Sequence, residues 1–210
     1  RSPLAVIKAS LAAAEDPALP EAQRRGFLHT AQREADRLAR LTGDLQLLAA
    51  GDAGALTVRP GPVAADTLCI EVYEQFYLLA RAQGRRLTLQ LPEAPLPPLV
   101  TDGGRLTQLL TVLLQNALDH TPPGTPVELT LQPAPGRLRL RVIDHGPGIP
   151  DDRKEQVFDR FFRADASRTR KENFGLGLSV ARELARGLGA ALTLADTPGG
   201  GATFTVDLPA

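Results

Sequence analysis

Apolar residues recur along the first fifty positions at the spacing of a helical face. Leu4, Ile7, Leu11 and Ala14 fall three and four residues apart, and the stretch from Asp16-Pro17 to Pro20 breaks the run. A second run, over about 21–50, sets Phe27, Ala31, Ala35, Leu38, Leu41, Leu45 and Leu48 on one stripe and Arg33, Glu34, Arg37 and Arg40 on the other. Two helices with so short a connection predict an antiparallel hairpin. A hairpin alone buries little, so its wide apolar stripe calls for a partner, most simply a second copy in a four-helix bundle.

Gly51-Asp52-Ala53-Gly54 reads as a boundary, dividing a hairpin at 1–51 from a second domain at 55–210. Beyond it the pattern predicts a short strand at 56–58 and a helix over 63–83 with Leu68, Val72, Phe76 and Leu79 on one side. Alternation over 86–91 predicts a strand and the proline-rich stretch 92–98 a loop. A helix follows from Asp102, a suitable N-cap, to His120. Strands at 126–132 and 137–144 are joined by a turn at 133–136. The segment 145–174 is polar and aperiodic except for Val157, Phe158, Phe161 and Phe162, which predicts a long loop with an aromatic anchor. A helix at 176–188 and a hairpin of 190–196 with 202–208 complete the pattern. Helices on one face of a mostly antiparallel sheet make an α+β sandwich.

Composition changes little in this picture. Acidic and basic residues balance at 24 each, which removes any argument from net charge for nucleic acid or membrane attraction. Cys69 is the single cysteine, so no internal disulfide exists, and its apolar neighbours suit a small buried hydrophobe. No run of about twenty apolar residues and no signal-peptide pattern is present. The absence of methionine and the start at Arg1 suggest a piece of a longer protein.

The chemistry concentrates in two glycine-rich loops, Asp144-His145-Gly146-Pro147-Gly148-Ile149-Pro150 and Gly175-Leu176-Gly177-Leu178. A carboxylate at a strand end can accept from an exocyclic amine, the feature that separates adenine from guanine; it can equally be a turn aspartate. Gly175 and Gly177 open a helix whose N–H groups could receive phosphate. Asn116 interrupts an apolar helix, either as a satisfied core amide or as an oxygen ligand for Mg²⁺. No Gly-Lys-Ser/Thr loop exists, and no parallel strand-turn-helix unit accompanies the glycines, so neither a P-loop nor a dinucleotide fingerprint is present. Together these residues point to a Mg-nucleotide site.

With those residues in view the chain resembles the sensor histidine kinases of two-component systems. Asn116, Asp144-x-Gly146-x-Gly148, Phe158-Asp159-Arg160-Phe161-Phe162 and Gly175-Leu176-Gly177-Leu178 look like that family's N, G1, F and G2 boxes. Gly200-Gly201-Ala202-Thr203-Phe204 is similar to its closing glycine-rich segment. Arg1-Ser2-Pro3-Leu4 looks like the tail of the H-box, and Glu34-Ala35-Asp36-Arg37-Leu38 resembles the second helix of its dimerisation domain. The resemblance implies an α-helical hairpin, a four-helix bundle on dimerisation, followed by an α+β sandwich of the histidine-kinase/gyrase ATPase type.

It further implies an ATP site built from Asn116, His120, Asp144, Gly146, Gly148, Phe158, Arg163, Gly175, Leu176, Gly177, Leu178 and Thr203, with Mg²⁺ on Asn116. The phosphoacceptor histidine would fall upstream of Arg1, leaving no catalytic residue of that kind within the chain; His29, His120 and His145 do not fit its motif. Implied partners are a second copy through the hairpin and the receiver domain of a response regulator, in a cytoplasmic portion with neither nucleic acid nor membrane contact. Three positions depart from the pattern: Val112 stands for a frequent second asparagine, Asp119 for a frequent lysine, and His120 for a stacking aromatic. Arg160, Arg163, Arg168, Arg170 and Lys171 could offset charge at the phosphates. Two rival readings stay open here. One is an ATP-hydrolysing clamp of the gyrase kind, although Val112 occupies the turn where such enzymes carry a glutamate. The other is a nucleotide-binding scaffold with impaired phosphotransfer.

Overall fold

The structure, a computed structural model, describes residues 2–163 and 174–209. It divides into two compact units, Arg1–Ala49 and Ala50–Ala210.

The first unit holds α1 (Pro3–Ala14) and most of α2 (Glu21–Asp52). Proline at the first position of α1 lacks only an N–H that no helix residue would have used. At its other end the Arg24 guanidinium donates to the Ala14 carbonyl at 2.9 Å, which occupies one of the otherwise unpaired terminal oxygens. Ala14, Ala31, Leu47 and Leu48 are buried, whereas Leu4, Leu11, Leu28 and Leu45 are 43–55% exposed. Ala5, Val6, Ala9, Ser10 and Phe27 line a shallow groove of about 480 Å³. The hairpin thus leaves Leu4, Leu11, Ala35 and Leu45 of its predicted stripe in solvent, and Leu28 beside it. No helix among the described residues is long and apolar enough to cross a membrane.

The second unit contains β1 (Gly61–Val63), α3 (Ala65–Ala82), β2 (Arg86–Gln90), β3 (Leu99–Thr101), α4 (Gly103–His120), β4 (Pro126–Ala134), β5 (Arg137–Asp144), α5 (Gly177–Gly187), β6 (Ala191–Asp196) and β7 (Ala202–Pro209). Five strands form one sheet in the order β2-β4-β5-β7-β6, all neighbours antiparallel except the parallel pair β2–β4. That parallel pair is made possible by α4, the crossover between its strands. The three helices supply the other layer. Leu106, Leu109, Leu110, Leu113, Leu114 and Leu118 repeat at helical spacing and are all fully buried, facing Leu129, Leu131, Leu140 and Phe204 from the sheet. The sheet's outer positions are polar, with Arg139 on β5 forking onto Asp207 of β7 at 2.6 and 2.8 Å. Cys69 lies on the buried face of α3 at 1% exposure, and burial, helped by nearby Asp66, pushes its thiol up to about 12.

Asp102 caps α4 as expected: one carboxylate oxygen accepts the Arg105 N–H at 3.0 Å and the other the Arg59 N–H at 2.8 Å. Those backbone donors, Arg59 first, hold its carboxyl below the usual range.

The predicted strand at 56–58 is not one. A Cβ on Gly187 would meet Leu56 Cδ2 at 2.7 Å and Val58 Cγ2 at 3.5 Å, so these two side chains pack on the end of α5 instead of pairing in a ladder. The first strand is Gly61–Val63, and its partner Leu99–Thr101 lies in a short run after the prolines that periodicity could not reveal.

Candidate functional site

Asp144 closes β5 and is 6% exposed. Its Oδ1 accepts the N–H of Gly146 at 2.9 Å and that of Ala202 at 3.2 Å. Both bonds fall on the same oxygen, which leaves Oδ2 as the acceptor available to a bound molecule. Burial raises the Asp144 carboxyl above the ordinary range, opposed in turn by the two backbone bonds and by the electrostatic influence of the nearby His120 and His145.

Glycines build the frame around this carboxylate. A Cβ on Gly146 would lie 3.0 Å from Asp144 Oδ1 and 3.0 Å from Thr121 Cγ2. Gly148, at φ +74°, sits against the Gly201 carbonyl, and Gly201 packs onto the Asp144 carbonyl so closely that a Cβ would stand 2.0 Å from it. The D-x-G-x-G loop and the closing glycine segment are therefore one joint. Thr203, beside that joint, has its hydroxyl 2.9 Å from that of Thr197.

Helix α4 carries the next wall. Its leucines face the core, so Val112, Asn116 and His120, at four-residue intervals, share a different stripe. Val112 Cγ1 lies 3.5 Å from where a Gly177 side chain would begin, which brings this stripe to the start of α5. His120, at the other end, is exposed and near enough to act electrostatically on Asp144. Asn116 lies midway, one helical turn from each. It is half-buried rather than buried, and no hydrogen bond to its amide is formed among the described residues. Asp119, in the place of a frequent lysine, accepts from Gln115 Nε2 at 2.9 Å.

Gly175, at φ +72°, is packed under the Phe161–Phe162 main chain, with a Cβ position only 2.6 Å from the Phe162 oxygen. The Phe161 N–H donates to the Gly175 carbonyl at 2.8 Å, and Phe161 itself takes φ +63°. Leu176 is buried at 1% and Leu178 half-buried. Leu176 precedes α5 without a side-chain cap on the first-turn N–H groups. Phe158 anchors the loop edge-on against Phe204 at 6.3 Å, with the Arg182 guanidinium 5.7 Å from its ring centre.

The charged candidates separate. Arg160 forks onto Asp52 at 2.8 and 2.6 Å, so this guanidinium is already paired with a carboxylate. Arg163 is the last described residue before the break at 164–173; Arg168, Arg170 and Lys171 lie outside the described residues. His145 is not a bare loop residue: its Nε2 lies 2.9 Å from Glu128 Oε1. His29 is exposed on α2. Sequence reasoning missed Thr121, whose methyl abuts Gly146, and gave Ala202 of the closing segment no role of its own, although its main-chain N–H donates to Asp144; neither use leaves a signature in residue type.

A helical layer on one face of a mostly antiparallel sheet, with a buried strand-end carboxylate inside a glycine joint, makes this unit an α+β sandwich. The family profile "Histidine kinase-, DNA gyrase B-, and HSP90-like ATPase" matches residues 101–210, and "His Kinase A (phospho-acceptor) domain" matches residues 1–54. The chain belongs to the sensor histidine kinases. It is 37% identical over 191 residues to the probable sensor histidine kinase TcrY of Mycobacterium tuberculosis, covering 90% of this chain and 39% of that protein. It is 31% identical over 213 residues to the signal transduction histidine-protein kinase BaeS of Escherichia coli, covering 100% and 44%. Among solved structures, full-length ShkA superposes with a TM-score of 0.77 at 27% identity over 100% of this chain and 46% of that one. The chain thus spans less than half the length of each of these relatives.

Proposed function

We propose that this chain is the cytoplasmic kinase core of a two-component sensor histidine kinase. In this reading residues 55–210 bind Mg-ATP and pass its γ-phosphoryl group to a histidine upstream of Arg1, and an aspartate on a response-regulator receiver domain then takes it. Residues 1–51 are the dimerising hairpin, whose exposed Leu4, Leu11, Leu28 and Leu45 await a second copy. The observation that carries the ATP assignment is Asp144, with Oδ1 tied by two N–H groups and Oδ2 left to accept the exocyclic amine of adenine. The solved relative ShkA, described in complex with AMPPNP, supports it.

Asn116 suits a metal ligand. Its amide oxygen is a hard donor, half-buried between leucines and without a protein partner among the described residues. Magnesium there would neutralise charge on the phosphates; the chain's own part is to place that oxygen and to offer the first N–H groups of α5. Phosphoryl transfer needs little covalent machinery beyond such positioning.

The test is a chain extended upstream through the histidine, incubated with γ-labelled ATP and Mg²⁺. Acid-labile, alkali-stable label on the protein is expected, and its loss in Asn116→Ala. ATP bound without any label would replace the kinase reading by that of a nucleotide-binding scaffold, with Val112 and Asp119 the first residues to restore to asparagine and lysine.

A further inference from the structure

The end of α4 is gripped from behind by a residue that no motif marks. Arg85, in the turn between α3 and β2, donates to the Thr121 main-chain oxygen from Nε at 3.0 Å and from Nη2 at 2.6 Å. One residue earlier, the Gly84 carbonyl accepts the Gly124 N–H at 2.8 Å. The turn therefore holds the loop after α4 at two points. Thr121 is itself fixed: it is 2% exposed, and its hydroxyl and N–H both donate to the Ala117 carbonyl, at 2.8 and 3.1 Å. Its Cγ2 abuts Gly146, whose N–H in turn donates to Asp144 Oδ1.

We infer that Arg85 is a positioning residue for base recognition, setting the distance between the end of α4 and the Asp144–Gly148 loop. The inference rests on the ATP reading above. The guanidinium places two donors on one carbonyl oxygen, a planar fork that a lysine cannot reproduce. Without that fork Thr121 keeps only its bonds to Ala117 within α4, so its methyl is held less firmly against Gly146 and the aim of the Asp144 carboxylate at the exocyclic amine loosens. The phosphate end is built on other elements, the Gly175 turn and the start of α5. Arg85 therefore bears on which base is held, and not on how the phosphates are held.

The experiment measures equilibrium binding of ATP, GTP and inorganic tripolyphosphate to the whole chain and to Arg85→Ala, Arg85→Lys and the neighbouring Arg86→Ala. Arg85→Ala is expected to weaken ATP roughly tenfold, the loss of one charge-assisted bond, and to narrow the ATP-over-GTP preference while leaving tripolyphosphate unchanged. Arg85→Lys should recover part of the preference, and Arg86→Ala should match the wild type. A general loss of folded protein would weaken ATP and tripolyphosphate by the same factor. That outcome, or unchanged ATP selectivity in Arg85→Ala, overturns the proposal. If Arg85→Ala does not fold, Arg85→Lys decides, since full wild-type selectivity in it overturns the fork. A wild-type chain that holds ATP no better than tripolyphosphate would overturn the ATP reading itself.

Discussion

Replacing Asp144 by asparagine is expected to reverse the base preference of the site as well as to weaken ATP. The asparagine oxygen can keep both N–H bonds now made by Oδ1, from Gly146 and Ala202. The amide nitrogen must then stand where Oδ2 is, and a donor meets a donor at the adenine exocyclic amine. Losing a charge-assisted hydrogen bond and mispairing the amine costs about 3 kcal/mol, roughly a hundredfold in ATP affinity. Inosine triphosphate, which offers an acceptor at that position, should bind the variant better than ATP does. Calorimetric titration of both nucleotides checks this; an unchanged ATP affinity in Asp144→Asn would sink the role of the carboxylate.

The same residue predicts a pH dependence. Burial raises the Asp144 carboxyl, so the folded state holds that proton more tightly than the unfolded chain does. The ionised carboxylate therefore weighs against folding. That penalty is absent below the unfolded value, grows as pH rises through the folded one, and is complete above it. Asp144→Asn should melt no lower than the wild type near neutral pH. ATP affinity in the wild type should fall as pH drops through the raised value, because the protonated acid loses its negative acceptor.

Gly201→Ala is expected to damage the fold itself. The residue has φ +114°, and a Cβ would stand 2.0 Å from the Asp144 carbonyl oxygen and 2.7 Å from the His145 Cα. Both obstacles are backbone, so no side chain can swing aside. Positive φ and the collision together cost about 3–4 kcal/mol. Gly199→Ala is the internal control: φ is also positive, at +88°, but nothing lies within 4 Å of the added carbon, and about 1 kcal/mol should be lost. Chemical denaturation of the two variants compares them, and equal losses would show that the joint is looser than its geometry.

The parts of this molecule that were legible in the sequence are those where one residue type does one job. The leucines of α4 announced a helix buried along one side, Asp102 announced its start, and the turns of β4–β5 and β6–β7 were visible as proline and glycine clusters. The glycines of the site were legible for the same reason, because close backbone approach accepts little else. What stayed hidden depends on pairing or on main-chain atoms. The three-residue strands β1 and β3 show no period, and Leu56 and Val58 alternate like a strand while serving as packing against α5. Arg160 reads as a cation for phosphate until Asp52 is found opposite it. Arg85 and Thr121 act through a carbonyl, which every residue has.

The single thiol at Cys69 supplies the second unit with its own clock. Burial pushes that thiol well above its ordinary range, so thiolate is scarce at neutral pH while α3 stays seated. Alkylation therefore waits for the helical layer to lift from the sheet, and its rate counts those openings. A nucleotide that binds only the closed layer must slow the count by the factor it adds to that layer's stability. The chain's one thiol, buried and chemically idle, becomes a kinetic record of how often the helical layer lifts from the sheet.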